Sequence, residues 1–306
     1  MNTEMQADEL MHISLLEGQA RALIIKSTHM VEKARVTHKL GRVATAALGR
    51  LLTITALMGA QLKGEGDSVT CLVRGDGPLG NLMAVARPDL SVKGYVDNPD
   101  VDLARVDGKL PVGDAVGHHG TLTVVKDMGM GEPYSGQVKL VSGELGEDFA
   151  MYYTVSEQTP SLVSVGVLTK DRVQAAGGLL VQMLPGASEA AIQSVEMSAG
   201  LFAELSKTML EYDLDGAVAQ LLSHLQPVVL EKRHPAYRCD CSRERVERAL
   251  ISLGQAELTQ MIDDLEQKTA AGEKPDPIFV DCHFCNRREA FTAAQLADLL
   301  DKATRG

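Results

Sequence analysis

Four of the five cysteines fall in the last quarter of the 306-residue chain, as two close pairs: Cys239 and Cys241 in C-D-C, Cys282 and Cys285 in C-H-F-C. Two such pairs in an acidic chain expected in a reducing compartment read first as a zinc site. Zn²⁺ takes four soft ligands at the corners of a tetrahedron, and a short C-x-x-C turn supplies two sulfurs to one metal. C-x-C is the less usual half, which makes the combination more specific than either pair alone. His234 and His283 are near in sequence, but four thiolates already fill the shell. The competing chemistry for C-H-F-C is a thioredoxin-type redox pair. That motif needs its first cysteine at a helix N-terminus, where the dipole lowers the thiol pKa. Here the flanks, PIFV before and REAF after, have the pattern of a hairpin. The next helix begins only at Thr292, where T-A-A-Q matches a capping box. A knuckle between two strands suits a metal better. Cys71, alone in the alternating run SVTCLV, reads as a small buried strand residue.

Arg238, Arg243, Arg245, Arg287 and Arg288 crowd the four thiols. They are either solvated charges with local acidic partners or a positive field that favours thiolates and their attack by oxidants. Residues 232–306 hold 12 basic and 13 acidic residues, and the whole chain carries −11. That balance argues against nucleic acid as a partner, because phosphate affinity rests on cationic side chains. It equally disfavours anionic membrane. Hydrophobic residues at 45% and charged residues at 23% are the proportions of a globular chain, which excludes a mostly disordered one.

The segments that must position the thiols are legible in outline. Val43–Leu62 is the most apolar stretch, but Arg50 interrupts it and Lys63 closes it, so it reads as a buried, Ala-rich helix rather than a membrane span. Thr37 is a candidate cap before it. The N-terminal residues show no basic segment followed by an apolar one, so the expected location is the cytoplasm. Residues 64–143 carry short alternating runs (SVTCLV, NLMAVA, SVKGYV, TLTVVKDM, SGQVKLV) joined by Gly, Pro and Asp, which predicts an antiparallel sheet. GELGEDFAMYYTVSEQ predicts a helix stopped before Pro160, and SLVSVGVL and VQAAGGLLVQML two more strands. Gly75, Gly77 and Gly80 in RGDGPLG satisfy G-x-G-x-x-G, but Pro78 and the strand-like run after it make this a hairpin turn, not a dinucleotide loop. No paired-carboxylate, Ser-His-Asp or nucleotide constellation is present, and no enzyme is expected.

From Leu184 the pattern turns helical. Ser188 can cap a helix; Ile192, Val195, Phe202, Leu205 and Met209 share one face, and Leu214, Val218, Leu221, Leu222 and Leu225 continue it after a break at 213–216. Two amphipathic helices, 188–212 and 214–226, are predicted. They either simply pack on the first domain or form a conditional element between two domains.

Together these residues resemble the 33-kDa heat-shock protein family of redox-regulated holdase chaperones. The resemblance runs over nearly the whole chain. It is carried by TCLVRGDGPLGNLMAVA, VKGYVDNP, GTLTVVKDMGMGEPYSGQVKLVSGELGED, SEQTPS and AAGGLLVQMLPGA, and by YRCDCSRERVERAL with CHFC. It implies an α+β fold: an N-terminal core (1–184) of antiparallel sheets enclosing a long buried helix, a helical linker (185–231) and a small C-terminal four-cysteine zinc domain (232–306). It implies that Cys239, Cys241, Cys282 and Cys285 bind one zinc ion when reduced. On oxidation Cys239 pairs with Cys241 and Cys282 with Cys285, zinc leaves, and the switch unfolds. The active form in the family is a homodimer that holds unfolding client proteins without ATP. One departure stands out: 40 residues separate Cys241 from Cys282, and LEQKTAAGEKPDP is expected to hold the extra length as a surface loop.

Physical chemistry agrees with this scheme. Structural zinc contributes about 10–16 kcal/mol in small domains, so its loss can unfold one. Disulfides favour Cα atoms about 5.5–6 Å apart, whereas residues i and i+2 of an extended chain lie up to about 7 Å apart, so a C-x-C disulfide is strained and readily reduced. Thirteen methionines and the linker's apolar face offer adaptable surface for clients. Phe202, Leu205 and Met209 are the expected client-binding residues, covered in the reduced protein and exposed after oxidation. Two other classes stay in view: a constitutive zinc-ribbon module with a nucleic-acid or ribosomal partner, and a thiol-disulfide oxidoreductase using Cys282 and Cys285.

Overall fold

The computed structural model describes residues 7–129, 131–271 and 276–305. The chain divides into two compact units, Met1–Arg238 and Cys239–Gly306.

The first unit begins with a hairpin, β1 (Glu9–Leu15) and β2 (Ala20–Lys26), followed by α1 (Thr28–His38) and α2 (Arg42–Gly59). Next come β3 (Ser68–Gly75), β4 (Asn81–Ala86), β5 (Ser91–Val96), α3 (Val112–Val116), β6 (Gly120–Asp127) and β7 (Tyr134–Lys139). α4 (Leu145–Val155) leads into a long hairpin, β8 (Ser161–Thr169) and β9 (Val173–Met183). Four short helices follow: α5 (Glu189–Met197), α6 (Ala199–Phe202), α7 (Leu205–Glu211) and α8 (Leu214–Leu222). Two strands, β10 (Val228–Arg233) and β11 (Ala236–Tyr237), close the unit.

The strands form a five-stranded sheet, β10-β1-β2-β9-β8, and a six-stranded sheet, β11-β5-β4-β3-β6-β7. All pairings are antiparallel except that of β11 with β5. Every alternating run of residues 64–143 is a strand, as expected, and RGDGPLG is the turn between β3 and β4, with Gly80 at φ +68°.

α2 is the buried helix that the composition predicts: every residue except Arg42 and Arg50 is buried. Thr45, Thr53 and Thr55 are tolerated there because each hydroxyl donates to the carbonyl four residues back, at 2.7 Å. Thr37 is not its cap. It lies inside α1, which ends in left-handed Lys39, and Gly41 precedes α2.

The central strands of the five-stranded sheet, β2 and β9, are buried on both faces. Leu23, Ile25 and Leu180 point into the core around α2, while Ile24, Leu179 and Val181 point into a second core. α5 to α8 cover this second face. Ser188 caps α5 by accepting from the Ala191 N–H, and Asp213 caps α8 by accepting from the Gly216 N–H. The single helix expected over 188–212 is broken into three. The Phe202 carbonyl is diverted to the Ser164 hydroxyl at 2.6 Å, and Ser198 Oγ lies 2.6 Å from His224 Nε2. The predicted second helix ends at Leu222 and continues as a 3-10 turn, Ser223–Leu225. α7 lies close on the sheet because two glycines face it. A Cβ on Gly166 would meet Ser206 Cβ at 2.7 Å, and one on Gly177 would meet Met209 Cγ at 2.8 Å.

The second unit contains α9 (Arg243–Ser252), α10 (Gln255–Ala270), the hairpin β12 (Ile278–Asp281) and β13 (Arg288–Phe291), and α11 (Ala293–Arg305). Its core is small: Leu250, Leu258, Ile262, Leu265, Phe291, Leu296 and Leu299. The first six residues of LEQKTAAGEKPDP are therefore not the expected loop. Residues 265–270 complete α10, whose Leu265 is core, while residues 272–275 lie outside the described residues.

Candidate metal centre

Two loops bring the four thiols together. Cys239 and Cys241 lie just ahead of α9, whose start is fixed by Ser242 accepting from the Arg245 N–H. Cys282 and Cys285 lie in the turn of the β12–β13 hairpin. There the Cys282 N–H donates to the Arg287 carbonyl at 2.9 Å, the Asn286 N–H donates to the Cys282 carbonyl at 2.8 Å, and Asn286 takes the left-handed conformation that the turn needs. The knuckle expected from PIFV and REAF is thus present, and Cys282 is not at a helix N-terminus. The capping box after it is also formed: Thr292 Oγ1 accepts from the Gln295 N–H and Gln295 Oε1 from the Thr292 N–H.

All four Sγ atoms lie within 4.8 Å of one another. Cys239 and Cys282 are 3.8 Å apart at sulfur, Cys241 and Cys285 3.2 Å. A tetrahedral site with Zn–S bonds of about 2.3 Å has edges of about 3.8 Å, so the donor set and spacing fit a thiolate-preferring divalent ion. The surroundings alone do not favour four thiolates. Burial pushes the Cys239 thiol up to about 11 and raises Cys241 further. Cys282 is also penalised by burial, but N–H donors from Phe284 and Cys285 and its thiol neighbours bring it below the ordinary value. A bound cation is what would let all four sulfurs be anionic together.

The neighbouring arginines are spent on local partners. Arg243 pairs with Glu289 at 3.3 Å and Glu247 at 3.4 Å, Arg287 with Glu289 at 2.9 Å, Arg288 with Asp281 at 2.7 Å, and Arg245 with Asp240. In the first unit Arg238 lies 3.8 Å from Asp89. The acidic partners Asp281 and Glu289 lie on adjacent strands of one hairpin; its register sets Asp281 opposite Arg288, and the only signal in the sequence is Glu289 directly after Arg287 and Arg288. Neither histidine joins the cluster: His234 Nδ1 lies 3.1 Å from the Asp8 carbonyl oxygen, and His283 is not among its donors. Cys71 is fully buried on β3, its sulfur 3.7 Å from Met58 Sδ and its pKa pushed by burial to about 12.

Phe202, Leu205 and Met209 are each 1% exposed, in the core beneath α5–α8. Among the described residues no helix is long and apolar enough to cross a membrane.

The Hsp33 protein family model matches residues 8–292. A 33 kDa chaperonin of Bacillus cytotoxicus is 44% identical over 299 residues, covering 96% of this chain and 99% of that one. One from Alkaliphilus metalliredigens is 40% identical, covering 97% and 99%. The crystal structure of a 33 kDa chaperonin from Thermotoga maritima superimposes with a TM-score of 0.87 at 32% identity, over 98% of this chain and all of that one.

Proposed function

The chain belongs to the Hsp33 chaperone family, and from that premise we propose that it is a holdase, working without ATP, that oxidation of its clustered cysteines switches on. The observation that carries this reading is the convergence of four sulfurs, from loops 40 residues apart, beside a core of seven buried apolar side chains among the described residues. So small a core does not hold a domain by itself.

Zinc, when bound, cross-links the two loops and keeps the sulfurs as thiolates. Peroxide then removes two electrons from each cysteine pair and is reduced to water, as Cys239 bonds to Cys241 and Cys282 to Cys285. All four donors are consumed, and the cross-link that stabilises the unit goes with them. Unfolding of this unit reaches the helical linker, 185–231, through the chain. Undocking of α6 and α7 bares Phe202, Leu205 and Met209 for unfolding clients. In functional terms the chain is then a core (1–184), a linker (185–231) and a switch (232–306). It works as a homodimer in the cytoplasm, with no catalysed reaction and no nucleic acid among its partners. The pairing of Arg243, Arg245, Arg287 and Arg288 with carboxylates disfavours a phosphate-binding zinc ribbon, and the position of Cys282 in a hairpin disfavours a thioredoxin-type enzyme.

The test is light scattering from a heat-unfolding client, with the protein first zinc-loaded and reduced, then treated with warm peroxide. Suppression only after oxidation, reversed by dithiothreitol, is expected. Equal suppression in both states would leave a chaperone with merely structural zinc, and no suppression in either would overturn the proposal.

A further inference from the structure

We propose that the first unit carries a binding cleft for a small multivalent oxyanion of the oligophosphate class, walled by α2 and β8 on one side and by α7 on the other. The cleft has a volume of about 960 Å³, and none of its lining residues belongs to the cysteine unit. Six cations line it: Arg42 and Arg50 of α2, Arg105 and Lys109 of the loop before α3, Lys170 of the β8–β9 turn, and Lys207 of α7. They face only three carboxylates, Glu144, Asp171 and Glu204. In a chain of net charge −11 this is a local reversal of sign.

Half of the positive charge is already committed. Arg42 pairs with Asp102, Arg50 with Glu144, and Lys207 with Glu204. The other half is not. Arg105 donates to two carbonyls, of Gly108 at 2.9 Å and Thr169 at 3.3 Å, while Lys109 and Lys170 make no ion pair among the described residues. The Arg50 Nε–H is buried with no acceptor among the described residues. With Asp102 on Arg42 counted, six cations meet four carboxylates, and that surplus is nearer to the charge of a diphosphate than of a longer chain, while the volume exceeds what one phosphate fills. No aromatic side chain lines the cleft, so nothing is present to stack a nucleobase. A bare oligophosphate fits this chemistry better than a nucleotide.

Because Ser206 and Lys207 come from α7, Ala203 and Glu204 from the turn before it, and the other walls from the core, a bound anion bridges linker and core and stabilises α7 on its sheet by mass action. Any effect of that bridge on chaperone activity rests on the function proposed above; the binding does not.

The test is calorimetric titration of the reduced full chain with phosphate, pyrophosphate, tripolyphosphate and citrate, with hydrogen exchange of residues 205–211 followed in parallel. Affinity is expected to rise from phosphate to tripolyphosphate, to exceed that for citrate, and to fall with salt. Arg105→Ala, Lys109→Ala and Lys207→Ala should each weaken tripolyphosphate binding about tenfold. These side chains are exposed, so the variants are expected to fold, and an unchanged urea midpoint verifies it. Lys63→Ala, an exposed lysine outside the cleft, should bind as the parent does. Exchange in 205–211 should slow on binding. No heat at millimolar tripolyphosphate, equal affinity for citrate, or equal loss in Lys63→Ala and the cleft variants would each overturn the proposal.

Discussion

The sulfur of Cys239 lies 3.8 Å from that of Cys282, 43 positions further along the chain, and the sulfur of Cys241 lies 3.2 Å from that of Cys285: each contact runs from one motif to the other. This arrangement could hold a metal ion between the two loops. It also sets two disulfide patterns in competition. Bonds between the motifs would keep the loops tied, and bonds within them would release the loops from each other.

The proposed switch requires the second pattern. Peptide mapping of the peroxide-treated chain by mass spectrometry should recover Cys239 joined to Cys241 and Cys282 joined to Cys285. Recovery of Cys239–Cys282 and Cys241–Cys285 as the main products would mean that oxidation locks the unit rather than unfolding it.

Replacing one donor should show how far the unit depends on its metal. Loss of an outer partner of a metal ligand typically costs 10–100-fold in affinity, so loss of a ligand in Cys241→Ser should cost more than about 100-fold. Competition with a chromogenic chelator measures it. The same variant should lose exchange protection throughout 243–305 while the first unit keeps its own. Undiminished zinc affinity would remove Cys241 from the ligand set.

Much of this was readable from the residues, and the failures have physical causes. Strands with one buried face, such as β3 with its alternating SVTCLV, declare themselves by period. β2 does not, because both of its faces are buried: Leu23 and Ile25 serve one core, Ile24 the other, and alternation disappears. β10 escaped notice as an edge strand whose Val228, Val229 and Leu230 are exposed. The break in the linker depended on Ser164, which is distant in sequence, reaching the Phe202 carbonyl. In the cysteine unit the ligand types and spacing pointed to a metal, whereas α9 and α10 were hidden in a polar, charge-rich sequence.

Gly166→Ala should loosen the linker without touching a cysteine. Its new methyl would stand 2.7 Å from Ser206 Cβ, a backbone-proximal atom with little room to yield. Overpacking of this kind costs about 1–3 kcal/mol. The reduced variant should bind an apolar dye and suppress client aggregation in part before any oxidant is added. Dye binding at the parent's level would show that α7 docking does not control the apolar face.

Asp148 predicts a pH dependence. Burial holds its carboxyl above the ordinary value, against the N–H bonds it accepts from Val141 at 2.6 Å and Ser142 at 3.3 Å. The native state therefore binds the proton more tightly than the unfolded one, and this group's contribution to stability declines as pH rises through the two values. Asp148→Asn keeps the side-chain carbonyl and removes the charge, so its advantage over the parent should grow from pH 4 to pH 7. Urea unfolding followed by tyrosine fluorescence reads the first unit alone, since all six tyrosines lie there. An advantage that shrinks with pH would contradict the raised carboxyl.

Phe291→Ala separates the stability of the cysteine unit from its ligands. Phe291 is fully buried on β13, with the Arg243 guanidinium 4.4 Å above its ring, and it supplies no donor to the metal. Truncation of a buried Phe costs about 3–5 kcal/mol. If metal binding and folding of this unit are one equilibrium, that cost must appear in both, because ligand affinity is reduced by the fraction of chains not competent to bind. The variant should release zinc to a weaker chelator than the parent does, and it should become active at lower temperature or peroxide concentration while all four thiols remain oxidisable. Chelator competition and client light scattering, run side by side over a temperature series, give both readings. A variant that loses exchange protection in 243–305 yet holds zinc with unchanged affinity would uncouple the fold from the metal, and the proposed switch would then have no means of reaching the linker.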